Sequence, residues 1–270
     1  MDLKERDILK QDYNIIWKKL LAKNEFRDDL DSRRINRKIY YLMAKKYISL
    51  FNYPRVLEIG CGTGIDINIV YESNNNIFPY ATDILTASIK LGCNVSKSFD
   101  NKIEFFVSDT LNLPIKNRNI DIIFSQGLIE HFKNPLEVIK EQERVLKKGG
   151  YLIISVPQKF TGYTLMKKKK IKQKEWKLGW EKEFSYISLK KLGENLKLME
   201  VDVAGYQYWK SWKEPVFVMK DLVDKVFRRL PLNNIRLFKK TKLKYNAIWE
   251  KLEKKWGHYF LQNIVIVFQK

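Results

Sequence analysis

Residues 55–64 read Arg-Val-Leu-Glu-Ile-Gly-Cys-Gly-Thr-Gly, and the rest of the chain is organised around them. Val56, Leu57 and Ile59 supply the apolar, partly β-branched run of a strand buried in a parallel sheet. Glu58 sits near the carboxyl end of that run, and Gly60, Gly62 and Gly64 follow at alternate positions. Glycine there admits positive φ and lets backbone N–H groups approach a ligand closely. A helical pattern starts at about Ile65, so the turn aims a helix N-terminus at whatever it holds. Two familiar phosphate-binding turns are excluded. The sixth position, where G-x-G-x-x-G needs glycine, is Ile65, and no Gly-Lys-Ser/Thr follows. A plain strand–turn–helix corner is what this stretch alone leaves open.

The following strands repeat the design. Residues 77–83, Ile-Phe-Pro-Tyr-Ala-Thr-Asp, close on Asp83, 19 residues beyond Gly64. A carboxylate at the end of a second strand can take hydrogen bonds from two ribose hydroxyls, because it is acceptor-only. Ile84 beside it is placed to pack on an adenine face, and a helix follows in which Cys93 is expected as a small buried residue. Residues 103–109 form a third strand ending on Asp109, and residues 120–124 a fourth, followed by Ser125-Gln126-Gly127-Leu128-Ile129-Glu130-His131-Phe132. Residues 135–150 read as an amphipathic helix ended by Gly149-Gly150, and 151–157 as strand five. A helix over 183–192 and strands at 198–204 and 263–270 complete the pattern.

This ordered set resembles the class I S-adenosyl-L-methionine (SAM)-dependent methyltransferases. The G-x-G-x-G turn behind an acidic strand end is similar to their first motif. Asp109 is similar to the residue that accepts from the adenine exocyclic amine, the next N–H, here of Thr110, serving a ring nitrogen; its alternative is a helix-capping or turn aspartate. Ser125-Gln126-Gly127 and the Glu130-His131 pair resemble the small-molecule branch that includes ubiquinone-biosynthesis-type enzymes. The Asn-Pro-Pro-Tyr of many amino-methylating nucleic-acid enzymes is missing, as is the Pro-Cys of cytosine-C5 enzymes. The resemblance spans residues 55–206. It implies an α/β, Rossmann-like, seven-stranded and mostly parallel sheet, with SAM at the carboxyl ends of strands one to four. It further implies Glu58, Gly60, Cys61, Gly62, Gly64, Asp83, Ile84, Asp109, Thr110 and Gln126 as cofactor-binding residues.

Methyl transfer from a sulfonium asks the protein mainly for alignment and dryness, so no nucleophilic side chain is expected. His131 is the candidate catalytic base for a phenol or catechol acceptor, since its ordinary pKa suits that work. A backbone hydrogen bond is its alternative role.

The chain has 270 residues, 45% of them hydrophobic, enough for one α/β domain with insertions. That domain is expected over 54–270, behind a helical cover at 1–53. Ile15, Ile16 and Leu20 mark one apolar stripe of the cover and residues 39–50 another, with the charged segment 26–37 as the turn between them. Arg33, Arg34 and Arg37 either reach the cofactor carboxylate or lie in solvent. No apolar run approaches a membrane span, and Met1-Asp2-Leu3-Lys4-Glu5-Arg6-Asp7 lacks the apolar core of a secretory leader. Cytoplasmic residence is expected. Two cysteines and two histidines leave no metal cluster or disulfide to expect.

Charge is the remaining signal: 51 basic against 31 acidic residues give +20, and 40 of the basic residues are lysine. Residues 158–182 carry nine lysines against two glutamates, at the place where such enzymes often set a substrate-facing loop. Lys167 to Lys170 either attract phosphate, nucleic acid or anionic lipid, or form an ordinary solvated loop. Residues 207–256 carry fourteen basic residues against five acids, interleaved with Trp209, Trp212, Trp249 and Trp256. Within them, 216–230 reads as a basic amphipathic helix that can lie in a membrane interface, cover a hydrophobic substrate or pack on the core. The functional expectation is a SAM-dependent methyltransferase acting on a small-molecule acceptor, aromatic or lipid-linked. An RNA methyltransferase, motivated by the charge but lacking a recognisable RNA-binding module, and a non-catalytic SAM-binding protein are the alternatives.

Overall fold

A computed structural model describes residues 27–176, 180–207, 222, 223, 225 and 236–270. The chain runs α1 (Arg27–Asn36), α2 (Lys38–Ile48), β1 (Arg55–Ile59), α3 (Ile65–Ser73), β2 (Phe78–Asp83), α4 (Thr86–Ser98), β3 (Glu104–Val107) and β4 (Ile120–Gln126). A 3-10 turn at Ile129–His131 follows, then α5 (Pro135–Val145), β5 (Leu146–Pro157), α6 (Gly162–Lys172), α7 (Tyr186–Glu194), β6 (Met199–Tyr206), α8 (Arg236–Phe260) and β7 (Asn263–Gln269). The strands form one seven-stranded sheet in the order β3-β2-β1-β4-β5-β7-β6. Only β7 runs antiparallel to its neighbours. Strand order reverses between β1 and β4, and in such a sheet the crevice at the carboxyl ends of those strands is where a ligand sits.

Alternation along β1 divides the core. Val56 joins the cluster on one face, with Tyr40, Ala44, Tyr47 and Ile48 of α2 and Ile65 and Ile67 of α3. Leu57 and Ile59 join the other, with Val138 and Ile139 of α5 and Leu189 of α7. Tyr40, Met43/Ala44 and Tyr47/Ile48 recur at helical spacing, which is why α2 forms and which way it faces. It thereby lies over the face that α3, the helix after the glycine turn, also covers.

Four expectations need correction. Residues 26–37 are not a turn but mostly α1, because their charges are neutralised across a helix pair: Arg34 pairs with Glu72, and Arg33 lies 3.7 Å from Asp66, both on α3. The helix at 135 does not run to Gly149-Gly150. It ends at Val145, and β5 starts at once from Leu146. Residues 147–150 instead bulge from the β4–β5 ladder, which pairs Ile120 with Leu146 but Ile122 with Tyr151. Gly149 has φ +77°, and a Cβ on Gly150 would sit 2.7 Å from the Asp121 carbonyl oxygen, so the glycines serve a bulge. Residues 158–182 are not a plain loop, since they contain α6. Cys93 is half-buried against the first cluster rather than inside it.

The apolar stripe at Ile15, Ile16 and Leu20 lies outside the described residues, as do Trp209 and Trp212. Of the helix expected over 216–230, only Leu222, Val223 and Lys225 are described, and they are helical.

Candidate functional site

The glycine turn is held by its neighbour strand. The N–H groups of Gly60 and Cys61 both donate to the Thr82 carbonyl, at 2.9 and 3.0 Å, so the turn is pinned to the end of β2. Gly60, Gly62 and Gly64 all have positive φ. At Gly60 the demand is also steric, since a Cβ there would lie 2.9 Å from the Leu128 side chain, just beyond β4. Loop and post-β4 turn therefore close on each other across the switch point.

Asp83 ends β2 beside this turn. Its Oδ2 accepts the Gly62 N–H at 3.0 Å and its Oδ1 the Leu85 N–H at 2.9 Å. Burial lifts its pKa, while those two donors oppose the rise. Each oxygen keeps a second lone pair, the complement of a ribose diol. Ile84 is half-buried next to it. Asp109 forms a tight turn, its Oδ1 accepting the Leu111 N–H at 3.0 Å, so the turn-aspartate geometry is realised. Thr110 is buried there with its hydroxyl lacking a partner. Cys61 is buried, and burial pushes its thiol well above the usual range, so it is no thiolate nucleophile.

Glu58 is fully buried and accepts the Ile67 N–H at 2.9 Å, tying β1 to the start of α3. Burial, then the Asp66 charge, raises its pKa well above the carboxylate range. Asp66 behaves oppositely. Burial alone would raise it, but Arg37 at 2.6 Å and Arg33 outweigh that and hold it below its ordinary value. Tyr41 donates its hydroxyl to the same carboxylate. Arg37 is thus not a solvated surface side chain; its guanidinium is engaged by Asp66.

The structure adds groups that sequence reasoning missed. Tyr40 stacks on Tyr206, with ring centroids 6.0 Å apart, and its buried hydroxyl has no partner. Tyr206 hydrogen-bonds Ser155 on β5, and Ser125 on β4 carries another unpartnered buried hydroxyl. Gln126, half-buried, pairs in register with Ser155. Thr63, within the glycine turn, has a fourth such hydroxyl after those of Thr110, Tyr40 and Ser125. The last three of these unsatisfied buried groups, at the carboxyl ends of β1 and β4 and on α2 above them, fit a polar ligand that supplies their partners. A cleft of about 470 Å³ opens elsewhere, lined by Arg55, Glu104 and Ile120 at the starts of β1, β3 and β4, and holds none of these residues.

Beyond β4, His131 is half-buried with Nδ1 3.3 Å from the Trp180 carbonyl oxygen. Burial pulls its pKa down to about 4; the Trp180 carbonyl opposes this and Lys167 adds to it. The backbone-bonding role is therefore realised, and the ring is neutral at physiological pH. The lysine run is constrained at its first member, while Lys168 to Lys170 are exposed. Lys167 is buried against Glu181 at 3.2 Å, and Lys168 reaches Glu183 at 3.2 Å. The Lys182 N–H donates to the Glu130 carbonyl at 2.6 Å, which fastens the segment onto the turn after β4.

The comparisons agree with this geometry. Residues 52–229 match the family described as a methyltransferase domain. The chain is 32% identical over 100 residues to a malonyl-[acyl-carrier protein] O-methyltransferase of Marinomonas sp. (strain MWYL1), covering 37% of each. It is also 32% identical over 131 residues to a probable tRNA methyltransferase 9B of Bos taurus, covering 47% of this chain and 26% of that protein. It thus spans only about a quarter to somewhat over a third of the length of these relatives. Among solved structures, a SAM-dependent methyltransferase of Thermotoga maritima, a possible histamine N-methyltransferase, superposes with a TM-score of 0.55 at 16% identity, covering 91% of this chain and 96% of that one. That likeness concerns the fold.

Proposed function

We propose that this chain, which belongs to the methyltransferase-domain family and takes SAM as its cofactor, moves a methyl group to a small-molecule acceptor. Asp83 holds the ribose hydroxyls and the Gly60–Gly64 turn lies along the cofactor. Ile84, Asp109 and the Thr110 N–H serve the adenine, and Glu58 keeps the turn and α3 in place. Gln126, with Ser125 and Tyr40, faces the methionine end. When bound, the cofactor supplies an electrophilic methyl whose departure leaves a neutral sulfide. The protein's share is to orient the acceptor in line and to exclude water.

One observation carries the choice of a small acceptor. α6, whose lysines suggested a polyanion, packs beside the turn after β4 with Lys167 buried against Glu181. A lysine neutralised inside the fold offers no counterion-releasing contact to RNA phosphate. The test is methyl-labelled SAM incubated with cell extract, then separated into organic, small polar, RNA and protein fractions. Label in the organic or small polar fractions is expected, and label in ribonuclease-sensitive material would establish an RNA acceptor instead.

A membrane-proximal setting has its own support. On α8, Ile248, Leu252 and Trp256 recur every four residues, all exposed, beside exposed Lys244, Lys251 and Lys255. That is the pattern of a helix lying on an anionic lipid surface, where a lipid-linked acceptor would be met. Among the described residues no helix is long and apolar enough to cross a membrane.

A further inference from the structure

Glu130 is the one buried acid of the post-β4 turn, and neither SAM binding nor the fold accounts for it. It is only 3% exposed, and its Oε2, shut away from water, has no hydrogen-bond partner. Its other oxygen lies 3.5 Å from where a Cβ on Gly127 would stand, at the end of β4. Two residues earlier is Leu128, against the glycine turn. Around Glu130 stand His131 on the same turn, Lys167 and Tyr163 from α6, and Glu181 from the segment that follows. A buried carboxyl oxygen without a donor is costly unless a ligand supplies one.

We propose that Glu130, not His131, is the catalytic base, and that the acceptor is an N–H or O–H compound whose proton it receives. The acceptor's lone pair forms the bond to the methyl carbon as the carbon–sulfur bond breaks and its electron pair stays on sulfur. The acceptor proton passes to Glu130 Oε2 and from there to water. A carboxylate acceptor, which has no proton to give, is excluded by this assignment. The surroundings suit the role. Burial, with the Glu181 charge, raises the Glu130 pKa to about 8, with Lys167 opposing, near the value at which a general base works best. His131, held at about 4, is too weak a base. The Tyr163 phenol, raised by burial and by Glu181 and Glu130, stays protonated as a donor.

The inference rests on the small-acceptor reading, and its test separates the two. Wild type and Glu130→Gln are compared with labelled SAM and whole cell extract, fractionated after reaction into small-molecule, RNA and protein material, from about pH 6 to pH 10, alongside SAM affinity and Tm. Expected is a loss of turnover of about 100-fold or more in the variant, with SAM affinity unchanged. The rise of wild-type activity through about pH 8 should vanish. The variant should also melt several degrees above wild type at about pH 8, the gap closing towards about pH 4. Between those values the wild-type fold must keep a carboxyl protonated that the unfolded chain ionises. A merely structural Glu130 would give lower stability and an unchanged pH profile. Equal turnover and pH profile in both proteins overturns Glu130 alone. Label from wild type only in ribonuclease-sensitive material overturns the small-acceptor reading and this inference with it.

Discussion

At the scale of single residues, the site depends on carboxyl groups that sit in one sheet-end crevice yet behave differently. Asp66 is ionised because Arg37 and Arg33 face it, whereas Glu58, buried on β1, is raised by burial and then by the Asp66 charge. Removing one partner of a buried pair strands the other, at a cost of about 3–5 kcal/mol. Arg37→Met is therefore expected to lose about 3 kcal/mol in urea denaturation at neutral pH. The sign of the pH dependence follows from the direction of the shift. A carboxyl depressed in the fold contributes stability above its ordinary pKa of about 3.9 and loses it as pH falls towards the depressed value. The gap between Arg37→Met and wild type should accordingly shrink below about pH 4. A gap that stays constant into acid would remove Asp66 as the partner that matters.

At the scale of elements, α6 and its return segment are bound by a buried ion pair. Lys167→Met leaves Glu181 uncompensated and should cost about 3 kcal/mol, while Lys167→Met with Glu181→Leu should recover most of that. Chemical denaturation of the two variants checks this, and equal losses would show that the pair contributes through packing alone. Gly150→Val should destabilise the β4–β5 bulge, because its Cβ meets the Asp121 carbonyl. The same elements show where sequence was legible. β1, its glycine turn and the acids at Asp83 and Asp109 are local patterns that mark the first strands, and the seven-stranded, mostly parallel sheet is what their resemblance to the methyltransferases implies. The misreadings have one physical origin. Arg33 and Arg37 look solvated until Asp66 is beside them, and Lys167 looks like an anion trap until Glu181 is in place. A glycine at positive φ ends a helix or builds a bulge equally well, so Gly149 was ambiguous. Tyr40 and Tyr206 stack across 166 residues of chain, which no local pattern announces. Glu130 was visible as half of a Glu-His pair, but burial, which decides between the two, is not written in the sequence.

At the scale of the whole molecule, a charge of +20 is a surface property, and only part of it is available to a partner. If α8 lies on anionic lipid, the protein should sediment with phosphatidylserine-containing vesicles and not with neutral ones. Ile248→Ser with Trp256→Ser should release it, and retention of the variant would assign the exposed stripe to another contact. The proposed function presupposes that the crevice at the ends of β1, β2 and β4 holds SAM, and calorimetric titration of SAM into wild type and Asp83→Ala is the most direct measurement of that. The account predicts one site per chain in wild type and a loss of affinity of about tenfold or more in the variant, since each charged hydrogen bond contributes about 1.5–3 kcal/mol. Equal affinity in the two proteins, or no binding to wild type, would contradict it.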